Sequence, residues 1–248
     1  MSLSTAYHPF ALVADGLVFL PTPSAAHVRP YRTLFRKLHA DPAFCLIAFG
    51  ELFQPVVWSD DEVHEFLLKR DAALRWGVRG MGDFALGVLP EDDDVKSAFD
   101  PAQSRQLKDS KVDICIVEGQ QFESLSQLFA RIEWAGYTCV RDATTTSAAE
   151  LYANGGLDSN GEALPHWQEM IELRYGLDSA FRGRGFATRA AEVVMAWAVE
   201  EHGARRFIAD TQKANSRSKQ VLSKLGFQVS DTNYFQDEGV IEWLRVVN

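Results

Sequence analysis

Between an alternating run, Glu169 to Leu177, and an Ala-rich helical pattern that continues to about Glu201 lies the hexapeptide Arg182-Gly183-Arg184-Gly185-Phe186-Ala187. Nothing else in the chain constrains its fold as strongly. Two glycines at the junction of an extended segment and a helix allow backbone geometry that a Cβ would forbid. A turn there aims several unpaired backbone N–H groups at one point, and the helix dipole adds partial positive charge. Arg182 and Arg184 supply countercharge. The segment therefore reads as a phosphate cradle. Tight packing alone also produces a Gly-rich turn before a helix, so the flanking sequence has to decide.

The motif has the form Arg-x-x-Gly-x-Ala, and the strand before it ends in Tyr175-Gly176-Leu177. The next strand-like run is Arg205-Phe207-Ile208-Ala209, and after it comes Asn215-Ser216-Arg217-Ser218 leading to Leu225-Gly226-Phe227. At these residues the chain resembles the GNAT superfamily of acyl-CoA-dependent N-acyltransferases. The pair Asn215 and Ser218 looks most like the branch containing the ribosomal-protein N-terminal alanine and serine acetyltransferases. The resemblance is specific from Trp167 to Phe227. It implies an α/β fold with a mixed, mostly antiparallel central sheet flanked by helices. A dinucleotide-binding unit is the rival, because Asp210 stands where a ribose-binding acid would sit. Against it, Thr188 replaces the third glycine, and Ile171, Leu173 and Tyr175 alternate with Glu172 and Arg174, whereas the first strand of a doubly wound sheet is apolar throughout.

Elsewhere periodicity sketches the layout. Leu17–Leu20 is a first strand, Tyr31–His39 a first helix, and Ser59 with Glu62 a capping box opening a helix that carries Val63, Phe66, Leu67 and Leu74 to the core. Asp83–Leu89 and Glu133–Arg141 are strands, and Val240–Val246 is the last. The expected organisation is a single domain over 1–248, with N-terminal strand and helices in 1–89, an insertion at about 90–130 between the second and third core strands, and a motif core at about 133–248. The insertion carries the acidic run Glu91–Asp94, poised to attract a cationic acceptor, and a helix over Phe122–Ile132.

At 248 residues, 46% hydrophobic and 24% charged, the chain can bury a full core. A net charge of −9 disfavours nucleic acid as a partner and suits cationic amines. Cys45, Cys115 and Cys139 have no CxxC spacing and read as buried free thiols, which with the absence of a signal-like N-terminus points to a cytoplasmic protein. No apolar stretch is of membrane-spanning length, and the histidines, His27, His166 and His202 among them, show no metal-ligand spacing.

The resemblance also implies a chemistry. Acetyl-CoA, as cosubstrate, would lie between the strand ending at Leu177 and the strand ending near Asp210. Its pantetheine would pair with backbone near Leu177, and its pyrophosphate would rest on Arg182, Gly183, Arg184, Gly185, Phe186 and Ala187. Asn215 would bond the pantetheine arm and also reads as a helix N-cap; Ser218, one turn on, points into the same cleft. An amine on a small molecule or a peptide N-terminus would attack the thioester directly in a ternary complex. The base is Glu172 or, with opposite strand parity, Glu169, and a bulge in the strand would exchange them. Asp210 remains open as an amine ligand, a base or a strand-end turn residue. Relatives place a Tyr general acid where this chain has Leu222, which leaves Ser218, Tyr234 or water to meet the departing thiolate. That departure keeps a non-catalytic CoA-binding scaffold as the alternative function. A homodimer is a compatible assembly, and no metal is expected.

Overall fold

The computed structural model describes residues 7–51, 53–92, 94, 98, 100–107, 112–157 and 161–247. Among them runs one ten-stranded sheet in the order β4-β5-β1-β2-β3-β6-β7-β8-β10-β9. Its strands are β1 (Phe10–Ala14), β2 (Leu17–Pro21), β3 (Asp83–Val88), β4 (Arg105–Gln106), β5 (Cys115–Glu118), β6 (Glu133–Asp142), β7 (Ile171–Leu177), β8 (Arg206–Gln212), β9 (Gln228–Ser230) and β10 (Val240–Val246). The longer helices are α1 (Arg29–Ala40), α2 (Pro42–Phe49), α3 (Asp60–Phe66), α4 (Gly119–Ser126), α5 (Phe186–His202) and α6 (Ser216–Lys224).

Helices cover both faces, and the strands record it. In β1, Leu12 and Ala14 enter the core under α5 while Ala11 and Val13 enter the core under α1, and β2 divides in the same way. A strand buried on both sides has no solvent face to mark with polar residues. The expected first strand is thus the second half of a hairpin, with Ala14 paired to Leu17. Asp15 and Gly16 both take positive φ, 48° and 72°, the turn an Asp-Gly pair favours.

The Ser59–Glu62 capping box forms as the sequence indicates, with both reciprocal bonds. Leu74 does not follow the expectation and is exposed. From Leu67 to Trp76 the helix continues as π-helix, whose wider turn breaks the 3.6-residue period and rotates Leu74 outward while Asp71 and Trp76 turn in.

The tract after β3 also differs. Its helix is Gly119–Ser126, shorter than expected, because Gln127, Leu128 and Phe129 bond back three residues and tighten the chain into turns. Leu125, Leu128, Phe129 and Ile132 are buried against the sheet. β5 pairs with β1, so the tract lengthens the sheet at the edge away from β7 and β8. Of the acidic run, Asp93 lies outside the described residues; Asp92 and Asp94 are held by Arg131. Sharing one guanidinium offsets part of the run's negative charge.

Candidate active site

The sheet opens at β7 and β8. Their pairing, the only parallel one among the described residues, consists of Ile171 with Phe207 and Glu172 with Ile208. Beyond it Leu173–Leu177 and Ala209–Gln212 continue without pairing to each other, leaving a gap in the middle of the sheet. β7 stays in unbroken register with β6 from Gly136–Leu177 to Asp142–Ile171, so no bulge disturbs its parity. Gly136 makes that approach possible: a Cβ there would stand 2.0 Å from the Gly176 carbonyl oxygen.

The cradle adjoins the gap. Asp178 caps the turn Ser179–Phe181 by accepting from the Ala180 amide at 3.0 Å and also pairs with Lys37 of α1. Gly183 and Gly185 take φ of 78° and 77°, and a Cβ on either would enter open space. The first helical amide to bond back is that of Arg189, to the Gly185 carbonyl. The amides of Phe186, Ala187 and Thr188 ahead of it are those a helix leaves without an internal acceptor. Arg182 donates from Nε to the Leu177 carbonyl at 3.3 Å, and Arg184 lies over the Phe181 ring. Open space above positive-φ glycines, exposed amides and two guanidinium groups fit a pyrophosphate. Across the gap, the Asn215 side chain accepts from the Ser218 amide at 3.1 Å as an N-cap and reaches the Ile47 carbonyl at 3.5 Å.

The two sequence-derived base candidates sit apart from this opening. Glu169 lies in the 3₁₀ turn before β7, at the closed end of the ladder, paired with Arg205 at 3.4 Å. Glu172 is wholly buried. It accepts from Arg141 through Nε at 2.8 Å and Nη2 at 2.9 Å, from Arg174 at 3.3 Å and from the Ser147 hydroxyl at 2.5 Å. Burial opposes its charge, but the two guanidinium groups and these hydrogen bonds prevail and lower its pKa to about 2. A carboxylate so placed is a weak proton acceptor. The alternation of β7 put Glu172 and Arg174 on one face; Arg141 could be found only through the β6 register.

Asp210 is the contrasting carboxylate. It is not at a strand end but within β8, opposite Glu242 of β10. Among the described residues it makes no ion pair. Burial, with Glu172 adding to it, raises its pKa against the pull of Arg174 and Arg141. It lines a cavity of about 150 Å³ with Ala48, Phe49, Arg174, Gln212, Phe235, Asp237 and Val240. Glu242, buried on β10, fixes the Phe235 wall by accepting from the amides of Tyr234 at 3.0 Å and Phe235 at 2.9 Å. Sequence reasoning did not find Phe49, Gln212, Phe235 or Asp237, which come from helix end, strand and loop and share no local motif. No group of His, Cys, Asp and Glu suited to a metal ion occurs among the described residues, and none of their helices is long and apolar enough to cross a membrane.

Solved structures of the same shape include an acetyltransferase from Agrobacterium tumefaciens strain C58, at 15% identity and TM-score 0.55, covering 100% of this chain and 99% of that one. A GNAT-family acetyltransferase from Bacillus anthracis aligns at 10% identity and TM-score 0.51, over 95% and 98% of the two chains. RimL, a ribosomal L7/L12 alpha-N-protein acetyltransferase solved with coenzyme A, aligns at 14% identity and TM-score 0.53, over 95% and 96%. No curated protein matches the sequence. At such identities these likenesses speak to fold. The GNAT acetyltransferase domain itself matches residues 31–228, which takes in the gap, the cradle and both carboxylates. With its mostly antiparallel sheet parted at one parallel pair of strands, this chain belongs to the GNAT acetyltransferase family and is an acyltransferase.

Proposed function

We propose that the protein moves an acetyl group from acetyl-CoA to a primary amine, carried by a small molecule or a peptide N-terminus, through direct attack in a ternary complex. The observation that carries this reading is Asp210, a carboxylate of raised pKa that makes no ion pair among the described residues and lines a cavity beside the gap. At ~30 Å³ per water molecule, that cavity has room for about five waters, hence for the amine-bearing end of an acceptor. Asp210 and Asp237 attract an ammonium group, and Phe49 and Phe235 add apolar lining for its aliphatic stem.

Asp210, rather than Glu172 or Glu169, takes the amine proton in this proposal, directly or through one water. A carboxylate whose pKa is raised toward neutrality is the better general base. The Arg182–Ala187 amides and the two arginines hold the pyrophosphate, and Asn215 and the Leu177 backbone hold the pantetheine. When bound, acetyl-CoA supplies an activated acetyl thioester. The continuous sheet supports reading 1–248 as one domain, and three buried unpaired cysteines suit a cytoplasmic setting.

The test is release of free CoA thiol from acetyl-CoA in the presence of polyamines, amino acids and short peptides with free N-termini. Peptides belong in the panel because RimL is named for acting on a ribosomal protein. Amine-dependent release is expected; release that no amine accelerates would overturn the proposal.

A further inference from the structure

Acyl transfer to an amine leaves a thiolate that must gain a proton or equivalent stabilisation. Of the positions the sequence raises for this step, Tyr234 and the one where relatives carry a Tyr are both poorly placed. Leu222, on α6, is buried in the apolar core beside α5. Tyr234 packs with Met170 and Ile208 on the Asp210 side of the sheet, its hydroxyl 3.5 Å from the Arg206 guanidinium at the closed end of the ladder.

Tyr175 is placed differently. It belongs to Leu173–Leu177, the part of β7 that has lost its β8 partner and so borders the gap. Strand parity sends Arg174 to the cavity side and Tyr175 to the face covered by α5 and α6, where it packs on the core. Its hydroxyl reaches the first turn of α6, 3.4 Å from the Ser218 carbonyl oxygen. Hydroxyl hydrogen bonds ordinarily span ~2.5–3.0 Å, so this contact orients the phenol without occupying it fully. Burial raises its pKa to about 12, which keeps the proton on the oxygen at any working pH.

We infer that Tyr175 is the proton donor to the leaving sulfur, acting from the helix-covered face of the gap while Asp210 accepts the amine proton on the opposite face. The inference rests on the amine-transfer reading above. The amine lone pair forms the bond to the acetyl carbon, the carbon–sulfur bond breaks with its electron pair passing to sulfur, and the Tyr175 hydroxyl proton moves to that sulfur. The proton shed by the attacking nitrogen goes to Asp210. Solvent then reprotonates the phenolate and deprotonates Asp210, and nothing is oxidised or reduced. Working from opposite faces, the two groups do not exchange protons with each other in mid-reaction.

Four measurements on the full chain test this. Tyr175→Phe should slow turnover with acetyl-CoA by about a hundredfold, the lower end of what a general acid contributes. With the selenoester analogue, whose selenolate departs without a proton, the same variant should be slowed less than about threefold. By calorimetry at alkaline pH, Tyr175→Phe should weaken binding of CoA and leave that of desulfo-CoA unchanged. Replacement by 3-fluorotyrosine, which keeps the side chain's size and alters its acidity, should change turnover with acetyl-CoA but not desulfo-CoA affinity. Equal slowing with both acyl donors, or equal loss of affinity for both CoA forms, would make Tyr175 a packing residue and overturn the inference. Failure of the unaltered protein to acetylate any amine from either donor would instead sink the reading on which it rests.

Discussion

Glu172 and Asp210 stand on neighbouring strands and face the same side of the sheet, yet their surroundings drive their acidities apart. Two arginines and a serine hydroxyl satisfy Glu172, whereas at Asp210 burial and the nearby Glu172 charge outweigh the pull of Arg174 and Arg141. Asp210→Asn should lower kcat/KM by about ten- to a thousandfold at neutral pH with acetyl-CoA affinity unchanged. In the unaltered protein the rate should climb as pH rises through the elevated Asp210 pKa, and that limb should be missing from the variant's profile. Glu172 makes a prediction about stability instead. Its pKa falls from 4.5 unfolded to about 2 folded, so it contributes about 3 kcal/mol that is present above pH 4.5 and lost as pH falls toward 2. Glu172→Gln should unfold more easily at neutral pH and show a flatter acid limb, read by denaturant titration at each pH. An alternating strand gave the parity of Glu172 from sequence. What that carboxylate meets depends on Arg141 and Ser147, brought in by a register and a loop that no local pattern encodes.

Among the elements, the strand–turn–helix unit was legible, apart from Glu169, which falls in a turn before the strand, because its determinants are local: two glycines, a following helix and an Asn N-cap one strand later. A Cβ on Gly185 would meet no protein atom, so Gly185→Val costs the fold little beyond the ~1–2 kcal/mol of a side chain at positive φ. Acetyl-CoA affinity should nonetheless fall by about ten- to a hundredfold, the worth of one hydrogen bond to a charged group, and calorimetry would show it. Undiminished affinity would remove the pyrophosphate from this turn. The π-helical stretch escaped sequence reading because helical periodicity assumes 3.6 residues per turn, and Leu74 was misplaced by that assumption. The β1–β2 hairpin escaped too, although Asp15-Gly16 is a strong two-residue turn signal, because strands buried on both faces carry no alternation to flank it.

Across the whole molecule, the 90–130 tract adds β5 outside the N-terminal hairpin at one edge of the sheet, and the gap between β7 and β8 lies several strands away. Asp92 and Asp94 pair with Arg131 at the surface, where such pairs contribute at most ~1 kcal/mol. Asp92→Asn with Asp94→Asn should therefore leave the acceptor's KM unchanged at every ionic strength, and a KM that rises at low salt would return the run to a role in acceptor capture. The fold class followed from one motif and the strands and helix around it. The destination of this tract did not, because strand addition at a sheet edge is decided by which partner is free.

A sheet that parts in its middle also leaves a signature in time. Along the gap, the edges of Leu173–Leu177 and Ala209–Gln212 turned toward each other lack a neighbouring strand. Their amide hydrogens should trade with deuterium from solvent orders of magnitude faster than those of the closed end at Ile171 and Glu172, although all belong to the same two strands. Acetyl-CoA should slow that trade on β7 in particular, turning the midline of the molecule from its most permeable seam into one of its most protected.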